Sequence, residues 1–168
     1  MCAPNAWCQS EEGDTEIEEF RRHRATVMMA NTHVPAGDNV GSQGKFYVVP
    51  TWGLNYDYWI KPNFALGLHN DLLLQDFEID VENAVIERTY PVVTTAVILY
   101  KPWRNLTLIG GGGREFEKHE DFNVLTVGAE YSIELPRHWE LSFNLVYDSK
   151  LYAYDSWLFG IGFSKFFE

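Results

Sequence analysis

Residues 46–60, FYVVPTWGLNYDYWI, carry the pattern that decides the fold prediction. Their side chains alternate between an apolar, aromatic set and a mixed set of smaller residues. Successive side chains of a β-strand point to opposite faces, so this alternation predicts one long strand with an apolar face and a mixed face. The apolar set is Phe46, Val48, Pro50, Trp52, Leu54, Tyr56, Tyr58 and Ile60, and the mixed set is Tyr47, Val49, Thr51, Gly53, Asn55, Asp57 and Trp59.

The same alternation recurs along the chain and predicts eight strands in all. Short connections alternate with longer, more polar ones, which is the pattern of an antiparallel up-and-down meander. Closing eight such strands into a β-barrel removes the exposed sheet edges. The other seven strands are predicted at 24–34, 64–75, 90–101, 106–116, 124–135, 139–148 and 157–167; the longer connections are 35–45, 76–88, 117–121 and 149–155.

Two local irregularities are expected within these strands. Pro50 lacks a backbone N–H for the sheet ladder, so we expect a β-bulge there. Residues 110–113 are four consecutive glycines. They indicate a tightly curved or bulged wall, or the close approach of a side chain from inside the barrel.

Length and composition exclude several protein classes. The 168 residues suffice for one domain, and the net charge of −11 argues against a general nucleic-acid binder. No apolar run approaches the roughly 18 residues of a transmembrane helix. Both cysteines, Cys2 and Cys8, precede the predicted barrel, so its body holds no disulfide or cysteine-based metal site.

The N-terminal region, residues 1–23, differs from the predicted barrel domain, residues 24–168. Its first ten residues resemble the end of a signal peptide, and we expect cleavage near Cys8. Six acidic residues follow between positions 11 and 19, and then the arginines Arg21, Arg22 and Arg24. Such charge blocks are typical of solvated arms, so this segment is expected to be flexible.

Two kinds of barrel fit the alternation: a soluble lipocalin-like barrel with its apolar face inward, and a transmembrane barrel with that face outward. The mixed face is rich in glycine, which suits the narrow interior of an eight-stranded barrel better than a water-facing surface. Aromatic residues also gather near both ends of the strands, as in the interfacial belts of membrane barrels. Both features favour the transmembrane barrel. The residues expected at the interfaces are Phe64, Tyr100, Trp103, Trp139, Tyr147 and Trp157, and Phe46, Phe77 and Tyr90 extend the loop-side belt.

The alternating strands, the aromatic belts and the terminal strand WLFGIGFSKFF resemble the small eight-stranded outer-membrane β-barrel proteins of Gram-negative bacteria. The resemblance implies an outer-membrane location and contact with outer-membrane lipids. It also implies that the barrel-assembly machinery reads the C-terminal strand, whose matching residues are Phe159, Ile161, Phe163 and Phe167.

Ionisable residues on the mixed face would lie inside such a barrel, where buried charges need partners. We interpret them as a structural polar network. A proton path, a weak metal site or an acid–base pair is the alternative, with one histidine a weak metal signal. The residues are Arg24, Asp57, His69, Asp71, Glu115 and Glu130.

A lumen filled by side chains argues against a general porin. We therefore expect a monomeric structural or adhesive scaffold without catalysis, cofactor, metal or nucleic-acid partner. A soluble lipocalin-like binder of a small hydrophobic ligand is the second interpretation, and an outer-membrane lipid-modifying hydrolase is the third.

Overall fold

The computed structural model describes residues 20–35, 46–81, 84–118 and 121–168, so the predicted N-terminal arm lies almost wholly outside the described residues. Ten β-strands occupy the described part of the chain. They are β1 (His23–Pro35), β2 (Phe46–Lys61), β3 (Phe64–Leu73), β4 (Phe77–Val81), β5 (Ala84–Arg88), β6 (Val92–Trp103), β7 (Leu106–Phe116), β8 (Phe122–Leu135), β9 (Trp139–Lys150) and β10 (Asp155–Phe167).

Eight of these strands form a closed antiparallel barrel in the order β1-β10-β9-β8-β7-β6-β3-β2. Closure depends on pairing of the first strand with the last, from His23 opposite Phe167 to His33 opposite Trp157. The predicted fold class, an all-β barrel of eight antiparallel strands, is therefore confirmed.

The alternation in the sequence sets which side chains enter the barrel. In β2, Trp52 and Leu54 face outward and are 51% and 62% exposed, whereas Thr51 and Asp57 face inward and are almost fully buried. The apolar set is therefore outside and the mixed set inside. This contradicts the arrangement required by a lipocalin-like barrel, in which apolar side chains would line the interior.

The two ends of the barrel differ. At one end, here called the turn end, short turns join the strands at residues 62–63, 104–105 and 136–138, and both ends of the barrel domain lie there. Arg137 and His138 adopt positive φ angles of 65° and 62°, which allow the chain to reverse tightly between β8 and β9. The opposite end, here called the loop end, carries the longer connections.

One of the predicted loops contains a pair of β-strands that the sequence pattern does not predict. Residues 76–88 were expected to form a polar connection, but β4 and β5 pair as a two-stranded hairpin. Phe77 and Ile79 are buried in a cluster with barrel residues that include Val49 and Phe122. The hairpin therefore packs onto the loop end, and Phe77, expected in the loop-side aromatic belt, is only 3% exposed.

The bulge expected at Pro50 does not form. Pro50 stays in register opposite Asn31, and its carbonyl accepts a 2.8 Å bond from the backbone N–H of Leu74, just beyond β3. In a β-strand, the backbone N and O atoms of a residue point towards the same neighbouring strand. The Pro50 nitrogen, which carries no hydrogen, therefore points towards the chain just beyond the end of β3. The register irregularities lie instead near the turn end, between Trp59 and Lys61 and between Tyr100 and Trp103.

The glycine run is also unbulged, since residues 110–113 keep continuous register with both neighbouring strands. A Cβ on Gly113 would lie 1.9 Å from the backbone oxygen of Thr94, and one on Gly111 would lie 2.2 Å from that of Ala96. The close approach is therefore made by the backbone of β6 rather than by a side chain from the lumen.

Candidate functional site: the barrel lumen

Arg24, on β1, is the centre of a buried charge cluster in the turn-end half of the lumen. Its Nε donates to Asp57 over 2.9 Å, and its Nη1 donates to Glu130 over 2.6 Å. Nη1 also lies 3.4 Å from an oxygen of Glu140. The planar guanidinium can bind several carboxylates at once because it presents five donors in fixed directions.

Further side chains extend this turn-end cluster. His69 Nε2 lies 3.0 Å from the second oxygen of Asp57, and Lys101 Nζ lies 3.6 Å from Glu140. The ring of Trp59 lies near both cations, 5.5 Å from the guanidinium carbon of Arg24 and 5.7 Å from Lys101 Nζ. The cluster thus occupies the turn-end half of the lumen with charge-assisted hydrogen bonds and aromatic contacts.

A second buried cluster lies at the loop end, where the hairpin meets the barrel wall. Arg88, at the end of β5, bonds to Glu115 on β7 through Nε at 3.0 Å and Nη2 at 2.5 Å. Tyr154 donates its hydroxyl to the other oxygen of Glu115 over 2.6 Å. Burial, together with the negative charge of Glu115, raises the pKa of Tyr154 well above its usual range. The hairpin is thereby tied to two parts of the barrel.

A polar layer lies between the two charge clusters. Thr126 donates to Asp148 over 2.7 Å, and Lys150 lies 3.7 Å from the same carboxylate and bonds to Ser156. Asp71 is different, because its Oδ1 is buried and has no hydrogen-bond partner among the described residues. In the part of the lumen that the structure describes, the burial of this acidic oxygen is therefore not compensated by a hydrogen bond.

No family model and no curated protein matches this chain. Solved structures do. Neisserial surface protein A (NspA) aligns with a TM-score of 0.61 at 10% identity, over 86% of this chain and 97% of its own. Ail, the attachment invasion locus protein of Yersinia pestis, aligns at 0.53 and 11% identity, over 86% and 99%. The outer membrane protein OprG of Pseudomonas aeruginosa aligns at 0.51 and 14% identity, over 88% and 98%.

This chain has the fold of the small eight-stranded outer-membrane β-barrels. The neighbours are bacterial outer-membrane proteins, and at these identities the likeness concerns the fold. Among the described residues, no helix is long and apolar enough to cross a membrane.

Within this outer-membrane-type barrel, the structure places the six residues expected in the lumen at three different positions. Arg24, Asp57, His69 and Glu130 lie together in the turn-end cluster. Glu115 lies in the loop-end cluster, and Asp71 lies between them, with its Oδ1 lacking a hydrogen-bond partner among the described residues. Six further participants are not among the residues predicted for the lumen: Arg88, Lys101, Glu140, Asp148, Lys150 and Tyr154.

Some of these omitted residues could have been found in the sequence. Glu140 and Asp148 occupy the mixed face of a predicted strand, so their inward orientation follows from the alternation. Arg88 and Tyr154 carry no such signal, because both lie in connections whose path depends on tertiary packing. A sequence pattern alone does not show which charges meet across a lumen.

The aromatic residues expected at the membrane interfaces face outward or partly outward. Trp103 and Trp139 are 68% and 43% exposed near the turn end, where Tyr100 is also exposed and Phe64 is half-buried. Tyr147 and Trp157 lie towards the loop end with ring centroids 4.8 Å apart. The four residues of the expected assembly signal, Phe159, Ile161, Phe163 and Phe167, are exposed along β10.

Metal binding and nucleophilic catalysis would each require a particular grouping of side chains in the lumen. The described residues contain no group of three or more histidine, cysteine, aspartate or glutamate side chains arranged to hold a metal ion. His69 bonds to Asp57, and no serine hydroxyl of the described residues is bonded to its ring. In the two charge clusters of the described lumen, Arg24 pairs with Asp57 and Arg88 pairs with Glu115.

Proposed function

We propose that this protein is an integral outer-membrane barrel that acts as a structural or adhesive scaffold and carries out no catalysis. The observation that carries the proposal is the inverted distribution of side chains, with charged and hydroxyl groups buried inside and large apolar groups exposed outside. A water-soluble protein of this size would ordinarily bury such apolar groups, since each contributes about 1.5–3 kcal/mol when removed from water.

The strand register supports a continuous apolar band around part of the barrel. Across four neighbouring strands, Trp52 lies opposite Met29, Met29 opposite Ile161, and Ile161 opposite Phe143. On the next strand Tyr131 lies opposite Phe143. All five side chains are between 46% and 57% exposed. Such a band matches the lipid-facing surface of a membrane barrel.

The side chains packed within the lumen support a role other than that of a general pore. The Arg24 cluster fills the turn-end half, and the β4–β5 hairpin covers the loop end through Phe77, Ile79 and the Arg88–Glu115 pair. We therefore propose that the protein functions through the surfaces it presents rather than through transport. The comparison with Ail, described as an attachment invasion locus protein, is consistent with the adhesive form of the proposal.

Fractionation of expressing cells tests the membrane part of this proposal. We expect recovery with the outer membrane, extraction by detergent, and a difference in gel mobility between unheated and boiled samples. A protein that stays in the soluble fraction without a mobility difference would refute it.

The scaffold part of the proposal needs a separate test. A short epitope inserted between residues 82 and 83, in the connection of the hairpin, is expected to be recognised by antibody on intact cells. Planar-bilayer recordings of the purified protein are expected to show no large, stable conductance. An epitope detected only after the outer membrane is opened, or a large steady conductance, would contradict this part.

The adhesive function is tested with bacteria that lack their own adhesins. Surface expression of the barrel is expected to increase attachment to host cells or extracellular matrix, compared with a barrel lacking residues 77–88. Equal attachment by both strains would leave the structural role in place and reject an adhesive role for the hairpin.

A further inference from the structure

A cavity of about 650 Å³ opens at the turn end, outside the buried Arg24 cluster. Trp59 on β2 and Phe166 on β10 contribute aromatic rings to its wall, with ring centroids 6.4 Å apart. Arg21, which precedes β1, and Arg137, in the turn between β8 and β9, also line it. The cavity therefore combines two guanidinium groups with an aromatic wall, and its volume lies in the range of ligand-binding pockets, about 300–1,000 Å³.

Two hydrogen-bond donors in the cavity wall lack acceptors. Trp59 is 2% exposed, and its indole N–H has no acceptor among the described residues. The buried Nε–H of Arg21 likewise has none within the described ranges. A buried donor without an acceptor lowers the stability of the folded state. An acceptor bound in the cavity would offset this cost after small rotations of the two side chains.

The carboxylates found among the described lining residues are already paired. Glu140 lies 3.4 Å from Arg24 and 3.6 Å from Lys101. Glu134 lies 2.6 Å from Arg104. In contrast, the two arginines of the cavity wall have no carboxylate within ion-pair distance among the residues that the structure describes. The cavity therefore presents unpaired positive charge to a ligand.

The surroundings of the cavity are also positively charged. The short turns of the described barrel each contain or adjoin an exposed cation, namely Lys61 at 62–63, Arg104 at 104–105 and Arg137 at 136–138. The loop end differs, since β4 of its hairpin carries two acidic residues and no basic one. Such a charge distribution attracts anions to the turn end.

We propose that this cavity binds the phosphate group of a phosphate ester. Guanidinium groups bind phosphate through paired N–H donors, and a phosphate offers more acceptor oxygens than a carboxylate. One phosphate can therefore accept from Arg21, Arg137 and Trp59 together. The aromatic wall then packs against the organic part of the ester. A phospholipid headgroup and a water-soluble phosphate ester share this chemistry, and the site is independent of the proposed scaffold role.

Nuclear magnetic resonance of the folded full-length chain, in a maltoside detergent and phosphate-free buffer, tests the site. The assigned indole N–H signal of Trp59 is followed during separate titrations with glycerol phosphate, with the short-chain lipid dihexanoylphosphatidylglycerol, and with glycerol as the phosphate-free control. We expect a saturable shift of the signal with phosphate probes and none with glycerol. A response to glycerol phosphate supports the proposal and shows that a water-soluble ester suffices. A response to the lipid alone supports it and assigns the ligand as a phospholipid headgroup.

Substitution of the two cavity arginines provides the matched comparison. Arg21→Gln and Arg137→Gln are each expected to weaken binding by about tenfold or more, since each removes charge-assisted hydrogen bonds. Arg114→Gln, the same change at an exposed position of the loop end, is expected to leave the affinity unchanged. If one cavity variant does not fold, the other decides. A Trp59 signal that neither phosphate probe moves in the folded parent, or an affinity that the cavity variants leave unchanged, would overturn the proposal.

Discussion

Arg24 and Glu130 are 106 positions apart in the sequence, yet a hydrogen bond of 2.6 Å joins them across the barrel lumen. Their strands, β1 and β8, are not neighbours in the sheet, since β10 and β9 separate them. The pair therefore connects two walls that share no backbone hydrogen bonds. Removal of one partner should accordingly affect the barrel as a whole.

Arg24→Gln is expected to lower the free energy of unfolding by about 3–5 kcal/mol, because it leaves the carboxylates of Asp57, Glu130 and Glu140 buried without their main cation. Urea-induced unfolding in detergent or lipid vesicles measures this loss. Arg22→Gln, two residues away on an exposed side chain, is the control and is expected to change stability by less than about 0.5 kcal/mol. Equal effects of the two variants would mean that the buried cluster contributes no special stability.

Asp57 and Asp71 offer a matched pair of lumen carboxylates with opposite expectations. Asp57 binds Arg24 and His69, so Asp57→Asn is expected to destabilise the barrel by about 3 kcal/mol. The buried Oδ1 of Asp71 has no hydrogen-bond partner within the described ranges, so Asp71→Asn is expected to stabilise the barrel by about 1 kcal/mol. The two unfolding curves at neutral pH test this difference, and a loss of stability in Asp71→Asn would show that its charge is compensated.

Two glycines of the run, Gly113 and Gly110, provide a test variant and its control for the close approach of β6. Gly113→Ala is expected to destabilise the barrel by about 1–3 kcal/mol or more, because the new methyl group meets the backbone of β6 at Thr94. A Cβ at Gly110 meets no atom within 4 Å, so Gly110→Ala is expected to be neutral or stabilising by about 0.5–1 kcal/mol. The midpoint temperature of the heat-dependent gel mobility change separates the two outcomes. A similar midpoint for both variants would contradict the close strand approach.

The raised pKa of Tyr154 predicts that the folded protein loses stability at alkaline pH. Because its pKa is higher in the folded than in the unfolded protein, the folded state keeps its proton after the unfolded state has released it. The resulting stabilisation is complete below the unfolded pKa of about 10 and declines as the pH rises above that value. Tyr154→Phe should therefore lose less stability than the parent between pH 10 and 11, as measured by urea unfolding at each pH.

The same variant has an expected effect at pH 8. Tyr154→Phe removes the hydrogen bond to Glu115, and we expect a loss of about 1.5–3 kcal/mol because the acceptor is charged. Tyr152→Phe is the control, since the Tyr152 side chain is 94% exposed. An unchanged alkaline slope in Tyr154→Phe would refute the assigned role of this hydroxyl.

The barrel could be predicted from the sequence because the alternation has one physical cause: successive side chains of a β-strand point to opposite faces. In β2, every second side chain from Trp52 to Tyr56 is apolar, and between them lie inward groups such as Gly53 and Asn55. Closure of the sheet then assigns the mixed set to the narrow interior. Arg24 and Asp57 could be placed in the lumen by this rule alone.

The remaining parts depend on contacts between distant segments. The β4–β5 hairpin is not predicted because residues 76–88 are rich in charged residues, although Phe77, Ile79 and Val81 show a short alternation with acidic residues. The inward orientation of Arg88 requires Glu115, which lies on another strand. The sequence predicts a β-bulge at Pro50, but whether its missing N–H matters depends on where the neighbouring strand ends.

The pairing of β1 with β10 has a consequence for chain connectivity. His23 and Phe167 are direct cross-strand partners, and opposed residues of antiparallel strands lie about 5 Å apart. The path of the chain around the folded barrel is therefore nearly circular. The turn-end position at which the first strand begins is only one of several turns at which the chain could begin. Circular permutants that link the two ends and begin at another turn retain every strand pair, so the order in which the strands are synthesised is separable from the architecture that they form.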